Sequence, residues 1–149
     1  MNLIVEDLGL IEYKTAWKLQ EQYAAEIAEG KRPPTLLLLE HPHVYTFGRR
    51  GKQENLLWGE AQLHEKGIAI HRVDRGGDVT YHGPGQLVGY PLLPLGQVDL
   101  QNKLPQADYV GYVRKLEKTI ITSLANLGLA AGQRPGLTGV WVQAGVHSR

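Results

Sequence analysis

The chain has 149 residues, a length typical of one domain, with 42% hydrophobic and 21% charged residues. This balance excludes an intrinsically disordered chain. Sixteen lysines and arginines against 15 aspartates and glutamates give a net charge of +1, which argues against nucleic-acid binding driven by bulk charge. There is no cysteine, so disulfides, cysteine-ligated metals and a cysteine nucleophile are excluded within these residues.

The N-terminal residues show no targeting or membrane pattern. They are acidic and lack a basic segment, so we expect no secretory signal. The longest apolar run, 36–39, is far shorter than the roughly 20 residues that span a bilayer. We therefore expect a cytoplasmic protein with no membrane partner.

The first half of the chain combines short strands with helices. A strand over 3–7 is expected at a sheet edge. Apolar spacing of three and four residues predicts a helix over 13–29, which Gly30 and two prolines end. The apolar run 36–40 predicts a strand buried on both faces, with 44–47 as its antiparallel or bent continuation. A short helix over 58–66 and a strand over 68–73 follow.

The second half begins with a glycine-rich loop from 75 to 89 and an apolar strand around 86–93. The helix over 108–127 has an apolar stripe, with Asp108 suited to cap its start and Gly128 to close its end. A strand over 138–142 follows. Strands and helices without regular alternation indicate an α+β fold, a mixed sheet with flanking helices, in a single domain over 1–149.

The segment 75–90, RGGDVTYHGPGQLVGY, has the composition of a binding loop held between strands. Its glycine pair lets the backbone approach a ligand and expose N–H groups. The forked donors of Arg75 suit a carbonyl, carboxylate or phosphate, and Tyr81 and His82 can donate or orient protons. Glycine turns joining two strands are the structural alternative. Dinucleotide-binding and Walker loops are excluded because their glycine spacing and Gly-Lys-Ser/Thr sequence are absent.

This segment resembles the signature of the lipoyl/octanoyl transferase family, octanoyl-[acyl-carrier-protein]:protein N-octanoyltransferases, with RGGD, TYH, GPGQ and the final tyrosine in register. Blocks within 6–20, 36–49 and 135–142 resemble the family in the same order. The resemblance implies the fold of lipoate- and biotin-protein ligases.

The resemblance also implies an activity. Family members move an octanoyl group from an acyl-carrier-protein thioester to a lysine ε-amine on lipoyl domains of 2-oxoacid dehydrogenases or on the glycine-cleavage protein. A cysteine forms the acyl-enzyme and a lysine lowers its pKa, because a nearby ammonium stabilises thiolate. The thioester is already activated, so no ATP, metal or other cofactor is expected.

By the same resemblance, residues of the signature line the acyl pocket and contact the reacting centre: Arg75, Gly76, Gly77, Asp78, Val79, Thr80, Tyr81 and His82. The glycines would lie along the acyl chain and His82 beside the thioester. His41 and Tyr90 are secondary wall or orienting residues. Arg49 would meet the acidic carrier or its phosphopantetheine arm, although a solvated loop cation explains it equally well.

The family's catalytic lysine and cysteine follow the strand that ends near residue 142, and the residues from there to Arg149 match neither. We therefore expect no catalytic residue in this chain, with the family's lysine and cysteine lying beyond Arg149. The resemblance thus implies a domain whose C-terminal part is missing. Such a domain should expose apolar edges.

Other functions remain open. An ATP-dependent lipoate or biotin ligase shares the fold but is disfavoured by the full signature. A non-catalytic protein that binds the acyl group or the carrier fits the missing nucleophile. A metal site at His41 and His43 is disfavoured, because no acidic cluster accompanies them and so short a motif is prone to false matches. A nucleic-acid role would rest on residues 49–52 alone and is set aside.

Overall fold

The computed structural model describes residues 2–96 and 108–142, which belong to two compact units divided between Pro94 and Leu95. The single domain expected over 1–149 stays a prediction.

The C-terminal residues 143–149 lie outside the described residues. The expectation that these residues differ from the family's lysine segment stays a prediction, as does the expectation that the family's lysine and cysteine lie beyond Arg149.

Within its described residues, the first unit contains six strands and two α-helices, with a 3-10 turn at Gln53–Asn55. In chain order they are β1 (Ile4–Leu10), α1 (Tyr13–Ala28), β2 (Thr35–Glu40), β3 (Val44–Phe47), α2 (Glu60–Glu65), β4 (Ala69–Arg72), β5 (Val79–His82) and β6 (Val88–Leu92).

These strands form two three-stranded sheets of the same design. In the first sheet β2 is central, parallel to β1 and antiparallel to β6. In the second sheet β3 is central, parallel to β4 and antiparallel to β5. The expected α+β fold with mixed sheets and β1 at an edge is confirmed.

Two strand predictions were wrong. Val44–Phe47 does not continue the sheet of β2, because its backbone pairs with β4 and β5 instead. Val79–His82, predicted as part of a loop, is strand β5. In both cases the partner strand is distant in sequence, so the local pattern does not reveal the pairing.

Helix α1 packs on one face of the first sheet. Ala16, Leu37 and Leu39 are fully buried there, and partly buried side chains of β1, α1 and β6 surround them. The alternate β2 residues, such as Leu38, are half-buried. The expectation of a strand equally buried on both faces is therefore corrected, because α1 covers only one of them.

Glycines end the helices as predicted. After α1, Gly30 has φ of +70° and the N–H of Lys31 donates to the Glu26 carbonyl at 2.8 Å. Strand β1 runs past the expected end at residue 7 to Leu10, because Gly9, at φ of +58°, absorbs an irregularity in its pairing with β2.

The described part of the second unit consists of α3 (Tyr109–Asn126) and a two-stranded ribbon of β7 (Ala131–Gly132) and β8 (Trp141–Val142). Asp108 caps α3 by accepting from the Gly111 N–H at 2.7 Å, as predicted. Strand β8 is shorter than the predicted 138–142. The expected apolar stripe of α3 is only partly buried, at Leu116 and Leu124, and the buried residue of the helix is Glu117.

No helix in residues 2–96 and 108–142 combines the length and apolar character that a bilayer span requires.

Candidate functional site

The signature begins with a loop, residues 75–78, that Arg75 fastens to the second sheet. Its Nη2 donates to the carbonyl and hydroxyl oxygens of buried Thr46, at 2.7 and 2.9 Å, and its Nη1 donates to the Gly76 carbonyl at 2.9 Å. The guanidinium predicted to bind substrate therefore holds its own chain. Arg75 sets where the glycine pair lies relative to β3.

A second loop, which follows β3, docks on the signature loop through backbone hydrogen bonds. The N–H groups of Gly48, Arg49 and Arg50 donate to the carbonyls of Asp78, Arg75 and Gly77, each at 3.0 Å. A Cβ on Gly48 would lie 2.6 Å from the Gly77 oxygen, so only glycine fits here. Sequence reasoning missed this requirement, because the approach follows from the register of β3 against β5.

Asp78 is also engaged within the chain. Its Oδ1 accepts from the N–H groups of Val79, at 2.8 Å, and Lys52, at 3.2 Å, and its Oδ2 accepts from the Asn55 amide. The carboxylate thus joins the signature loop to the segment that precedes α2.

Strand β5 divides the rest of the signature between two faces, because side chains alternate along a strand. Tyr81 is exposed, packs against Tyr45 and hydrogen-bonds His43. His82 lies on the other face, with its ring centroid 5.9 Å from that of His41. The structure therefore brings His82 and His41 together and separates Tyr81 from both.

His41 is fully buried and has a defined tautomer. Its Nδ1 donates to the Ile11 carbonyl at 2.8 Å, because a carbonyl can only accept. Its Nε2 then accepts from the Tyr90 hydroxyl at 3.0 Å. Burial lowers the pKa of His41, and burial raises the pKa of Tyr90 to about 12, so the imidazole is neutral and the phenol protonated at neutral pH.

Tyr13, the first residue of α1, completes this cluster. Its ring centroid lies 5.2 Å from that of His41, 5.4 Å from His71 and 6.5 Å from His82. Burial raises the pKa of Tyr13 as well. The residue belonged to a sequence block that resembles the family, but only its contacts reveal its place beside His41 and His82.

His82 has a hydrogen-bond partner of its own. Its Nδ1 lies 2.7 Å from Oε1 of Gln86. Because an amide oxygen only accepts, Nδ1 carries the proton in this arrangement. Nε2 is then the ring nitrogen that can meet a further partner.

A cleft of about 850 Å³ lies between α1 and the end of β4. Tyr13, Trp17, Ile70 and Val73 give it an apolar wall. The polar or charged residues at its lining are Lys14, Lys18, Glu21, His71, Arg72 and Asp74. None of residues 75–82 lines it. This cavity therefore lies beside the signature segment, with Tyr13 belonging to both.

The two histidines considered as a metal pair are separated. His41 is buried against Ile11 and Tyr90, whereas His43 is exposed and bonded to Tyr81. Within residues 2–96 and 108–142 no group of three or more histidine or acidic side chains is placed to hold a metal ion.

Comparisons with known proteins define the class. A solved bipartite lipoate protein ligase from Thermoplasma acidophilum aligns with a TM-score of 0.62 and 21% identity, over 97% of this chain and 51% of that one. The expected lipoate-ligase-like fold is thereby confirmed.

Sequence comparison is more specific. Residues 12–145 match the lipoyl protein ligase A/B catalytic domain. The octanoyltransferase of Solibacter usitatus is 52% identical over 95% of this chain and 61% of its own length. That of Nocardia farcinica is 48% identical over 95% of this chain and 51% of its own length. The chain belongs to the lipoyl protein ligase A/B catalytic-domain family, and it spans less than two thirds of the length of these two relatives.

Proposed function

We propose that this chain provides the acyl-binding and donor-binding part of an octanoyltransferase. The donor is octanoyl-acyl carrier protein, and the acceptors are lysines of lipoyl domains in 2-oxoacid dehydrogenases and in the glycine-cleavage protein. The reaction serves protein lipoylation in lipoate biosynthesis, in the cytoplasm. The observation that carries this proposal is the 52% identity to an octanoyltransferase over 95% of the chain.

The acyl chain lies along Gly76 and Gly77 in this proposal. A Cβ built on Gly76 meets no atom within 4 Å, so the missing side chain leaves open space beside the loop. Arg75 fixes the loop, and Val79 and Thr80 continue it into β5. A loop held by hydrogen bonds to a buried strand is a preorganised surface, which lowers the entropic cost of binding.

The thioester end lies near His82. His41 and Tyr90 orient this region through their partly buried hydrogen bond, and Tyr81 belongs to the outer wall of β5. Arg49 is exposed and free to meet the anionic arm of the donor, since no described residue pairs with its guanidinium.

Transfer of the acyl group needs a nucleophile. The family resemblance implies a cysteine for this role, and the 149 residues contain none. In the proposed reaction a cysteine thiolate attacks the thioester, releases the carrier thiol and forms an acyl-enzyme; the acceptor amine then attacks and restores the thiol. The absence of cysteine favours a second candidate for this chain alone, a protein that binds the acyl group or the carrier without transfer.

The proposal is tested by titrating the chain with octanoyl-acyl carrier protein and, separately, with octanoic acid. Gly76→Val fills the proposed acyl path and should weaken both affinities about tenfold, because overpacking a fitted site costs that much. Gly132→Val is the matched control, since a Cβ there also meets nothing within 4 Å and the residue lies in β7.

Equal binding by wild type and Gly76→Val would refute the acyl path. Formation of octanoyl-adenylate from octanoic acid and ATP would favour an ATP-dependent ligase over the transferase.

A further inference from the structure

The segment after β3 carries a run of cations beside the signature loop. We call residues 49–52, Arg49-Arg50-Gly51-Lys52, the cationic loop. Arg49 and Arg50 are exposed, and within the described ranges neither guanidinium has a hydrogen bond or an ion pair. Lys52 forms an exposed ion pair with Glu54 at 3.2 Å. Two arginines without a described partner therefore face solvent next to the proposed acyl path.

The cationic loop is held at both ends. At its start, backbone N–H groups of Arg49 and Arg50 donate to Arg75 and Gly77. At its end, the Asp78 carboxylate accepts from the Lys52 N–H, and beyond it from the Asn55 side chain. Among the described residues outside 48–56, Asp78 is the one whose side chain forms hydrogen bonds with residues 48–56.

The Asp78 carboxylate is poorly placed to bind substrate. Its two oxygens accept from Val79, Lys52 and Asn55, all within the chain. A carboxylate that faced an anionic donor would also repel it. Bound to N–H donors, the same charge instead stabilises a loop that carries the opposite sign.

We propose that Asp78 is a positioning residue that holds the cationic loop so that Arg49 and Arg50 bind the phosphate of a phosphopantetheine thioester donor. This inference rests on the proposed function for the identity of the donor. The hydrogen bonds of Asp78 determine where the loop lies, and the two guanidinium groups supply the charge. Arginine suits a phosphate because its forked donors bind two oxygens at once.

Swapping the side chains at positions 55 and 78 distinguishes a positioning role of Asp78 from direct contact between Asp78 and the substrate. Asp78→Asn keeps an acceptor for Val79 and Lys52 but turns an NH2 group toward the NH2 group of Asn55. Adding Asn55→Asp restores the bond in the opposite direction, with position 78 now the donor. Asp74→Asn is the charge control, since Asp74 is exposed and has no side-chain hydrogen bond to a described residue.

Amide hydrogen exchange of residues 50–56 is measured first on the full 149-residue chain. Asp78→Ala should speed exchange of the Lys52 amide at least about tenfold, Asp78→Asn less, and the double variant should return to the wild-type rate. Exchange in Asp78→Ala equal to wild type and to Asp74→Asn would overturn the proposal, whether or not the chain binds any donor.

Binding is measured next with octanoyl-4′-phosphopantetheine and with octanoyl-pantetheine, which lacks the phosphate. Asp78→Ala should weaken the phosphorylated ligand about tenfold and leave the other unchanged, and the double variant should recover. Equal weakening of both ligands, or no recovery in the double variant, would mean that the Asp78 carboxylate itself contacts the acyl group, contrary to the proposal. Wild-type failure to bind either ligand would refute the proposed function, and the exchange result would still decide the role of Asp78.

Discussion

The two units of the chain differ in the side chains that they bury, which are mostly apolar in the first unit and include a charged one in the second. In the first, Ala16, Leu37 and Leu39 form a fully buried apolar cluster. In the second, the buried residue of α3 is Glu117, whose oxygens accept from the Gly139 N–H at 2.7 Å and from the Gln133 amide at 2.6 Å. Arg114 adds an ion pair at 2.7 Å.

The two units therefore resist unfolding in different ways. Apolar burial is non-directional and independent of pH, and each buried leucine stabilises the fold by about 1.5–3 kcal/mol. The stabilisation that Glu117 provides depends on the directions of its hydrogen bonds and on the negative charge of its carboxylate. Val110 in α3 and Leu127, directly after its last residue, remain about three-quarters exposed, at 73% and 75%, so burial contributes less there.

The largest effect should come from breaking the apolar centre. Leu37→Ala removes a side chain that is fully buried between α1 and the first sheet, and we expect a loss of about 3 kcal/mol in the free energy of unfolding. Urea denaturation followed by far-ultraviolet circular dichroism measures it. Leu57→Ala, at a residue 97% exposed, should change stability by less than about 0.5 kcal/mol. Similar losses in both variants would contradict the assignment of the core.

A smaller effect should appear in the first unit on mild acidification. Burial lowers the pKa of His41 below its ordinary value of 6.5. Just below pH 6.5, His41 is therefore protonated more readily in the unfolded chain than in the folded chain. Stability is therefore full above pH 6.5 and falls as the pH drops below it. His41→Gln should reduce this slope, and His71, whose pKa burial also lowers, contributes to the slope that remains.

The histidine prediction is checked by urea midpoints of wild type and His41→Gln between about pH 7.5 and about pH 5. His64→Gln is the control, because that exposed histidine has no buried contact to lose. An unchanged slope in His41→Gln would show that His41 does not resist protonation.

The smallest effect should be confined to acid and to the second unit. Hydrogen bonds from the Gly139 N–H and from Arg114 lower the pKa of Glu117 below its ordinary value of 4.5. The stabilisation is present above pH 4.5 and is lost as the pH falls through the lower, folded-state pKa. Glu117→Gln should remove this dependence. Amide exchange of Gly139 against pH measures it, with Glu54→Gln as an exposed control; equal pH profiles for wild type and Glu117→Gln would contradict it.

Much of the local structure could be predicted because its causes lie close together in sequence. The spacing of apolar residues predicted α1 and α3, and Asp108 and Gly30 marked ends that the structure confirms. The order of residues in 75–90 predicted the family. Strand β5 was not predicted, because the glycines at 76 and 77 and the Gly-Pro-Gly sequence at 83–85 on either side of it suggest a loop. Its pairing with β3 makes it a strand.

The helices, their caps, the family and the segment that carries the site can all be predicted from the order of the residues. Contacts between residues distant in the chain set the sheet that β3 joins, the burial of Glu117, the separation of Tyr81 from His82, and the hydrogen bonds of Arg75 and Asp78 to their own chain. The physical reason is the distance along the sequence over which each interaction acts. Capping and periodicity act over a few residues, whereas strand register brings Thr46 within reach of Arg75 and Lys52 within reach of Asp78.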